Sequence, residues 1–218
     1  MNKFKIAIID YDMGNVKSVE NAINHTGSYD VVITDNAEII KSSDIIILPG
    51  VGAFPDAMDK LTQKGLVKVL NHEVLVQKKP VLGICLGMQL LFDSSEEISE
   101  KPGLGWIPGK VVYMKPSKHL RVPHIGWNSL ILKKTDSIFT YLNQDKDFYF
   151  VHSLWAKCPE EFVLASFEYG PEMTASVQKD NVIGMQFHPE KSQKNGLTAI
   201  KSFLDWAETY IISRIPSC

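Results

Sequence analysis

Cys85 lies in the pentapeptide Gly83-Ile84-Cys85-Leu86-Gly87, after the apolar run Pro80-Val81-Leu82 and before a stretch of helical character, Leu86 to Phe92. A G-x-C-x-G between a strand and a helix has the form of a nucleophile elbow. Small neighbours allow the sharp bend, and the glycines leave room for a substrate to approach. At the start of a helix the thiol meets unpaired N–H groups and the positive end of the dipole, which favour the thiolate. The same cysteine could equally be a small buried hydrophobe beside a tight turn.

A thiol nucleophile needs a base, and the base needs an orienting group. Among six histidines, His188 ends a strand-like run and is followed by Pro189 and Glu190. Residues two apart on an extended backbone point to one side, so the Glu190 carboxylate can reach the His188 ring while Pro189 restricts the turn. His188 would take the thiol proton and return it to a departing amine, and Glu190 would fix the imidazole tautomer. His-Pro-Glu alone also fits a strand end carrying a solvated acid. Its occurrence together with the elbow favours a Cys-His-Glu triad. Acyl transfer further needs oxyanion donors. One is the N–H of Leu86, and a second can come from the glycine-rich turn Leu48-Pro49-Gly50-Val51-Gly52-Ala53-Phe54. That turn lacks the third glycine of a dinucleotide fingerprint and the Gly-Lys-Ser/Thr of a P-loop, so no nucleotide is expected there.

The frame for these residues is legible in the hydrophobic pattern. KIAIID, DVVIT, DIIILPG and KPVLGIC alternate with segments of helical period, the first carrying Val16, Val19, Ala22 and Ile23 on one face and another carrying Ala57, Leu61, Leu66, Val69 and Leu70. Continuous apolar strands alternating with amphipathic helices imply a doubly wound parallel sheet covered on both faces. From Gly103 onward β-branched and aromatic runs take over: GKVVYM, WNSLIL, DFYFVHS, FVLASFEYG, MTASVQ and VIGMQFH. The last two read as a hairpin turning at Lys179, Asp180 and Asn181. Leu197, Ile200, Leu204, Ala207 and Ile211 mark a closing helix that stops before Pro216.

A chain of 218 residues with 44% hydrophobic residues can bury a sizeable core as one α/β domain, residues 1–218. A net charge of −2 gives no general attraction to nucleic acid or to an anionic membrane. Three cysteines, at 85, 158 and 218, are too few and too scattered for a disulfide framework or a metal site. The N-terminal apolar run meets Asp10 where a signal peptide would continue, and no stretch approaches bilayer-spanning length. A cytoplasmic protein without cofactor or metal is expected.

Taken in order, IIDYDMGNVKSVENAI, ILPGVGAFPDAM, PVLGICLGMQLLF, GLGWIPGKV, VPHIGWNSL, FYFVHS and GMQFHPEKS resemble the class I, triad-type glutamine amidotransferases over nearly the whole chain. Within these the chain is most similar to the glutaminase subunits of imidazole glycerol phosphate synthases. The resemblance implies a flavodoxin-like α/β fold, with a mostly parallel central sheet flanked by helices and strand-rich additions in the C-terminal half. It implies hydrolysis of L-glutamine through a glutamyl thioester on Cys85, with His188 and Glu190 completing the triad. Val51, Gly52 and Leu86 would form the oxyanion hole, and Gln89, Tyr149, His152 and Ser153 would line the glutamine pocket. It also implies a heterodimer with a (β/α)8-barrel cyclase that receives the ammonia for histidine biosynthesis, with Asn15, Trp127 and Lys191 at the interface. Otherwise these residues read as a helix start, a core aromatic and a solvated lysine.

Two segments depart from the family pattern. Leu154-Trp155 stands where tyrosines are usual, and Ile125 where methionine is common. Both are expected on the partner-facing surface, which leaves open a paralogous glutaminase serving a cyclase-like synthase of cell-surface sugars. A flavodoxin-like cysteine hydrolase shares the elbow but needs neither His-Pro-Glu nor the Gly50 to Gly52 turn. A non-catalytic regulatory subunit would not need an intact triad.

Overall fold

Alternation along β1 (Lys5–Ile9) decides the layering. Ile6 and Ile8 enter one hydrophobic cluster, whereas Ala7 and Ile9 enter another, so the strand is buried on both faces. The computed structural model describes residues 3–115, 120–135, 137–140, 142 and 146–215. After β1 come α1 (Val16–Thr26), β2 (Asp30–Thr34), α2 (Ala37–Ser42), β3 (Ile45–Gly50), α3 (Phe54–Gln63), α4 (Leu66–Asn71), β4 (Val81–Cys85) and α5 (Leu86–Gln89). The second half begins with β5 (Phe92–Ser95), β6 (Lys101–Pro102), β7 (Ile107–Tyr113), β8 (His124–Ser129), β9 (Ile131–Leu132) and β10 (Asp147–His152). It ends with β11 (Leu154–Lys157), β12 (Val163–Glu168), β13 (Glu172–Lys179), β14 (Val182–Met185) and α6 (Gln193–Ser213).

The main sheet runs β2-β1-β3-β4-β14-β13-β12-β9. Its first five strands are parallel, and the order around β1 and β3 is that of a flavodoxin-like doubly wound sheet. Residues of α1 and α6 share one cluster with Ile6 and Ile8, and residues of α3 and α4 share the other with Ala7 and Ile9. Ligands of such sheets bind beyond the carboxyl ends of the parallel strands. The ends of β3, at Gly50, and of β4, at Cys85, lie side by side there. The strand-rich additions form a sheet ordered β11-β7-β5-β6 and a two-stranded ribbon of β10 and β8. No described helix is long and apolar enough to cross a membrane.

Three local expectations are corrected. The helix expected through Ala57, Leu61, Leu66, Val69 and Leu70 is two helices, broken at Gly65 with φ 68°. The helix expected through Leu86 to Phe92 lasts one turn, because the carbonyls of Leu90, Leu91 and Phe92 accept from Leu104, Trp106, Ile107 and Gly105 instead of from a following turn. The run WNSLIL divides into β8 and β9. The hairpin of β13 and β14 forms, with Lys179 paired to Val182 and Asp180 at φ 51° in the tight turn between them.

Candidate active site

Cys85 occupies the last position of β4 with φ 54° and ψ −111°, a strained conformation for a residue bearing a Cβ. The glycines around it make the bend possible in a way the sequence reading did not foresee. A Cβ on Gly87 would lie 1.8 Å from the Leu48 carbonyl oxygen, and one on Gly83 would lie 2.7 Å from the Gly87 oxygen. The glycines therefore make room for the protein's own backbone rather than for substrate.

Cys85 opens onto a cavity of about 330 Å³ whose walls include Val51, Gly52, Leu86, Gln89, His152, Ser153 and His188. His188 Nδ1 and Glu190 Oε1 are 2.7 Å apart, and both side chains are 2% exposed. A carboxylate only accepts, so Nδ1 carries the proton and Nε2 is the atom left for chemistry. Nε2 makes no hydrogen bond among the described residues. Burial alone would push His188 down, but the Cys85 sulfur and the Glu190 carboxylate outweigh it and hold the imidazole well above its ordinary value. The backbone that carries the ring is held as well. The His188 N–H donates to the Tyr149 carbonyl at 2.9 Å, and the Ser192 hydroxyl donates to the His188 carbonyl at 2.6 Å.

The oxyanion expectation is modified at Val51. Its N–H donates to the Met13 carbonyl at 2.9 Å, so in this state that donor is committed elsewhere. The loop carrying it is braced by the buried Tyr11, whose hydroxyl donates to the Pro49 carbonyl at 2.8 Å. Gly52 has φ 101°, where a side chain would be strained.

Tyr149 is placed differently from the expectation. It is absent from the cavity wall, braces His188 through its backbone, and meets the Trp127 ring edge-on at 6.0 Å. Asn15 caps α1 and lines a second, small cavity with Val51, His188 and Glu190. Lys191 is exposed directly after Glu190, and Trp127 is 48% exposed. None of these three candidate interface residues lies on the wall of the Cys85 cavity. Ile125 is 60% exposed beside them, but Leu154 is buried on the cavity wall and Trp155 packs against the core. Of the two departures from the family pattern, only Ile125 faces outward.

One residue of the cavity wall and two packed behind it carry no signal used in the sequence analysis. Glu97 reaches the wall from the loop after β5 and accepts the Phe54 N–H at 2.6 Å, a pairing no local pattern announces. Gln186 stands two residues before His188 and shares its side of the chain, a signal that the alternation rule could have given. His124 was also missed. Its Nδ1 lies 3.2 Å from His152 Nε2, and its ring stacks on Tyr169 at 3.9 Å.

Burial pushes His124 down to about 4 and His152 down to about 3, so both are neutral at pH 7. The unfolded chain binds their protons near the ordinary value of 6.5, while the folded chain does not. Their contribution is therefore fully present above that value and is lost as pH falls below it. A His124→Phe variant keeps a stacking ring but removes one such group. Its unfolding free energy should fall less steeply than that of wild type between pH 6.5 and 4. Denaturant titrations across that range would show it, and equal slopes would mean that His124 is not held neutral.

A family model for class I glutamine amidotransferases matches residues 7–205. The chain is 69% identical over 204 residues to the imidazole glycerol phosphate synthase subunit HisH 2 of Vibrio vulnificus, covering 94% of this chain and 95% of that one. It is 46% identical over 210 residues to the HisH subunit of Bacillus cereus strain AH187, covering 96% and 99% of the two chains. Among solved structures, a putative GMP synthase subunit from Thermoplasma acidophilum matches with a TM-score of 0.74 over 99% of this chain and 100% of that one. At 18% identity that likeness speaks for the fold alone.

Proposed function

Because the chain belongs to the class I glutamine amidotransferases, we propose that it is the glutaminase subunit of an imidazole glycerol phosphate synthase, supplying ammonia for histidine biosynthesis. The observation that carries the chemistry is the convergence of Cys85 and His188 on one cavity, with Glu190 bonded to the far side of the imidazole. Identity spread over nearly the full length of both chains carries the pathway.

In this reading glutamine enters the cavity with its side-chain carbonyl beside Cys85. His188 Nε2 holds the proton drawn from the thiol, the sulfur attacks as the thiolate, and the imidazolium is held by Glu190. The Leu86 and Gly52 amides face the developing oxyanion. Val51 can join them only when its bond to Met13 is broken. Collapse breaks the C–N bond, His188 returns its proton to the leaving nitrogen, and ammonia departs. Water, deprotonated by His188, then attacks the thioester and releases glutamate and the thiol. Glu97 offers a carboxylate for the substrate's α-ammonium. Gln89, His152 and Ser153 shape the rest of the pocket.

The chain works as one domain in the cytoplasm and as a heterodimer. Its partner is a barrel cyclase docked over Asn15, Ile125, Trp127 and Lys191, and neither nucleic acid nor membrane takes part. Free ammonia is protonated in water, so the exit side of the triad must be covered by the acceptor enzyme. The test is glutamate release from glutamine, alone and with the cyclase subunit of the same organism plus its nucleotide substrate. A sharp rise with that partner is expected; release indifferent to it would point to another synthase. In the same assay a Trp127→Ala subunit should fold normally yet lose about tenfold or more of the partner-dependent rate, as expected for a central interface aromatic. An unchanged coupled rate would remove Trp127 from the interface.

A further inference from the structure

The direction of the hydrogen bonds beneath Cys85 follows from one carbonyl. The Leu154 oxygen can only accept, and it lies 3.2 Å from Gln89 Nε2 and 2.7 Å from His152 Nδ1. Gln89 must therefore turn its NH2 group, and His152 the proton on Nδ1, towards Leu154. Gln89 Nε2 also lies 3.0 Å from Gln186 Oε1, which accepts its other proton. With its oxygen committed there, Gln186 directs its own NH2 at Cys85 Sγ, 3.9 Å away. The two glutamines, Gln186 and Gln89, are 0% and 5% exposed, so bulk water cannot take over these bonds.

We propose that Gln186 is a further catalytic residue, whose side-chain amide donates a hydrogen bond to the Cys85 sulfur and is locked in that orientation through Gln89 by the Leu154 carbonyl. The proposal rests on Cys85 being the glutaminase nucleophile. An amide N–H to a neutral thiol is a weak bond, and the same N–H to a thiolate is substantially stronger. The interaction therefore favours the sulfur when it carries charge, before attack and again when it is expelled from the thioester, and not while it is acylated. Gln89 acquires a defined polarity as well. Both of its N–H groups are spent on the protein, so only its oxygen remains to meet the substrate. His152 has both ring nitrogens engaged, by Leu154 and by His124, and it meets the substrate through its ring face or edge.

The test uses Gln186→Met, which keeps the length of the side chain without a donor, and measures Cys85 alkylation by iodoacetamide, read at the Cys85 peptide, beside steady-state glutamine hydrolysis with the cyclase present. Alkylation at neutral pH should slow about tenfold, the loss of one hydrogen bond to a charged group, and should recover at higher pH. The kcat should fall by a similar factor with KM little changed. Unaltered alkylation in a folded Gln186→Met protein, or a loss confined to KM, would overturn the proposal and leave Gln186 as packing. Should that variant not fold, Gln186→Glu retains the shape and the acceptor towards Gln89 but turns an oxygen on the sulfur. Alkylation at neutral pH should then slow at least as much, and an unchanged rate would overturn the proposal equally. Alkylation needs no glutamine. If wild type itself shows no Cys85-dependent glutamate release, the glutaminase reading is what has failed.

Discussion

A Cys85→Ala protein is expected to release no glutamate above background, with or without the cyclase, a fall of at least about a thousandfold, while unfolding close to the wild-type temperature. Removing the sulfur abolishes the covalent route, and water is a poor substitute attacking without the elbow's geometry. The fold should tolerate the change because alanine retains the Cβ and the same strain at φ 54°, so the backbone of the bend is no worse off. What is lost is a small buried group and the bond from Gln186, about 1 kcal/mol. Among the described residues the other thiol, Cys158, is poorly placed to take over. Burial raises Cys158 to about 11, which keeps it neutral at working pH, and it is not on the cavity wall. Glutamate assays combined with thermal unfolding would check both halves. Preserved turnover would refute the nucleophile, and a collapsed melting temperature would show Cys85 to be structural.

Strand positions and the pairing of His188 with Glu190 were legible because each obeys a local rule. A continuous apolar run marks a strand buried on both faces, and a two-residue spacing puts Glu190 beside His188. The site's polar lining was not, because its partners are distant in sequence. Gln89 meets Leu154 and Gln186, and Glu97 meets Phe54, through contacts that exist only after the sheet has closed. The one-turn α5 shows the same limit. Leu86 to Phe92 has good helical propensity, but the chain around Leu104 to Ile107 competes for its carbonyls and wins. Tyr149 shows a different limit. The motif containing it was recognised, yet pleating turns its ring towards Trp127 while its backbone braces His188. Motif membership gave the neighbourhood, and only the pleat decides which face a residue serves.

Glu190→Gln should be nearly as damaging to turnover as loss of the nucleophile, with kcat reduced by about a thousandfold or more. Glutamine is isosteric, so the 2.7 Å contact to His188 Nδ1 can persist through its oxygen. The negative charge cannot. Glu190 is one of the two groups that hold His188 well above its ordinary value against the pull of burial, and Glu190 Oε2 has no other partner among the described residues. With the charge gone, burial dominates and the imidazolium formed during attack is left uncompensated in a desolvated site. The amide can also flip and offer its NH2 to Nδ1, which would stabilise the wrong tautomer and place the proton on Nε2, where the thiol proton must go. The KM for glutamine should move little, because Glu190 is not on the cavity wall. Raising the pH should not restore the rate, since the defect lies in stabilising a charged imidazole rather than in removing a proton from it. A Glu190→Gln enzyme within tenfold of wild type would mean that His188 is oriented well enough by Tyr149 and Ser192 alone, leaving Cys85 and His188 to act as a dyad.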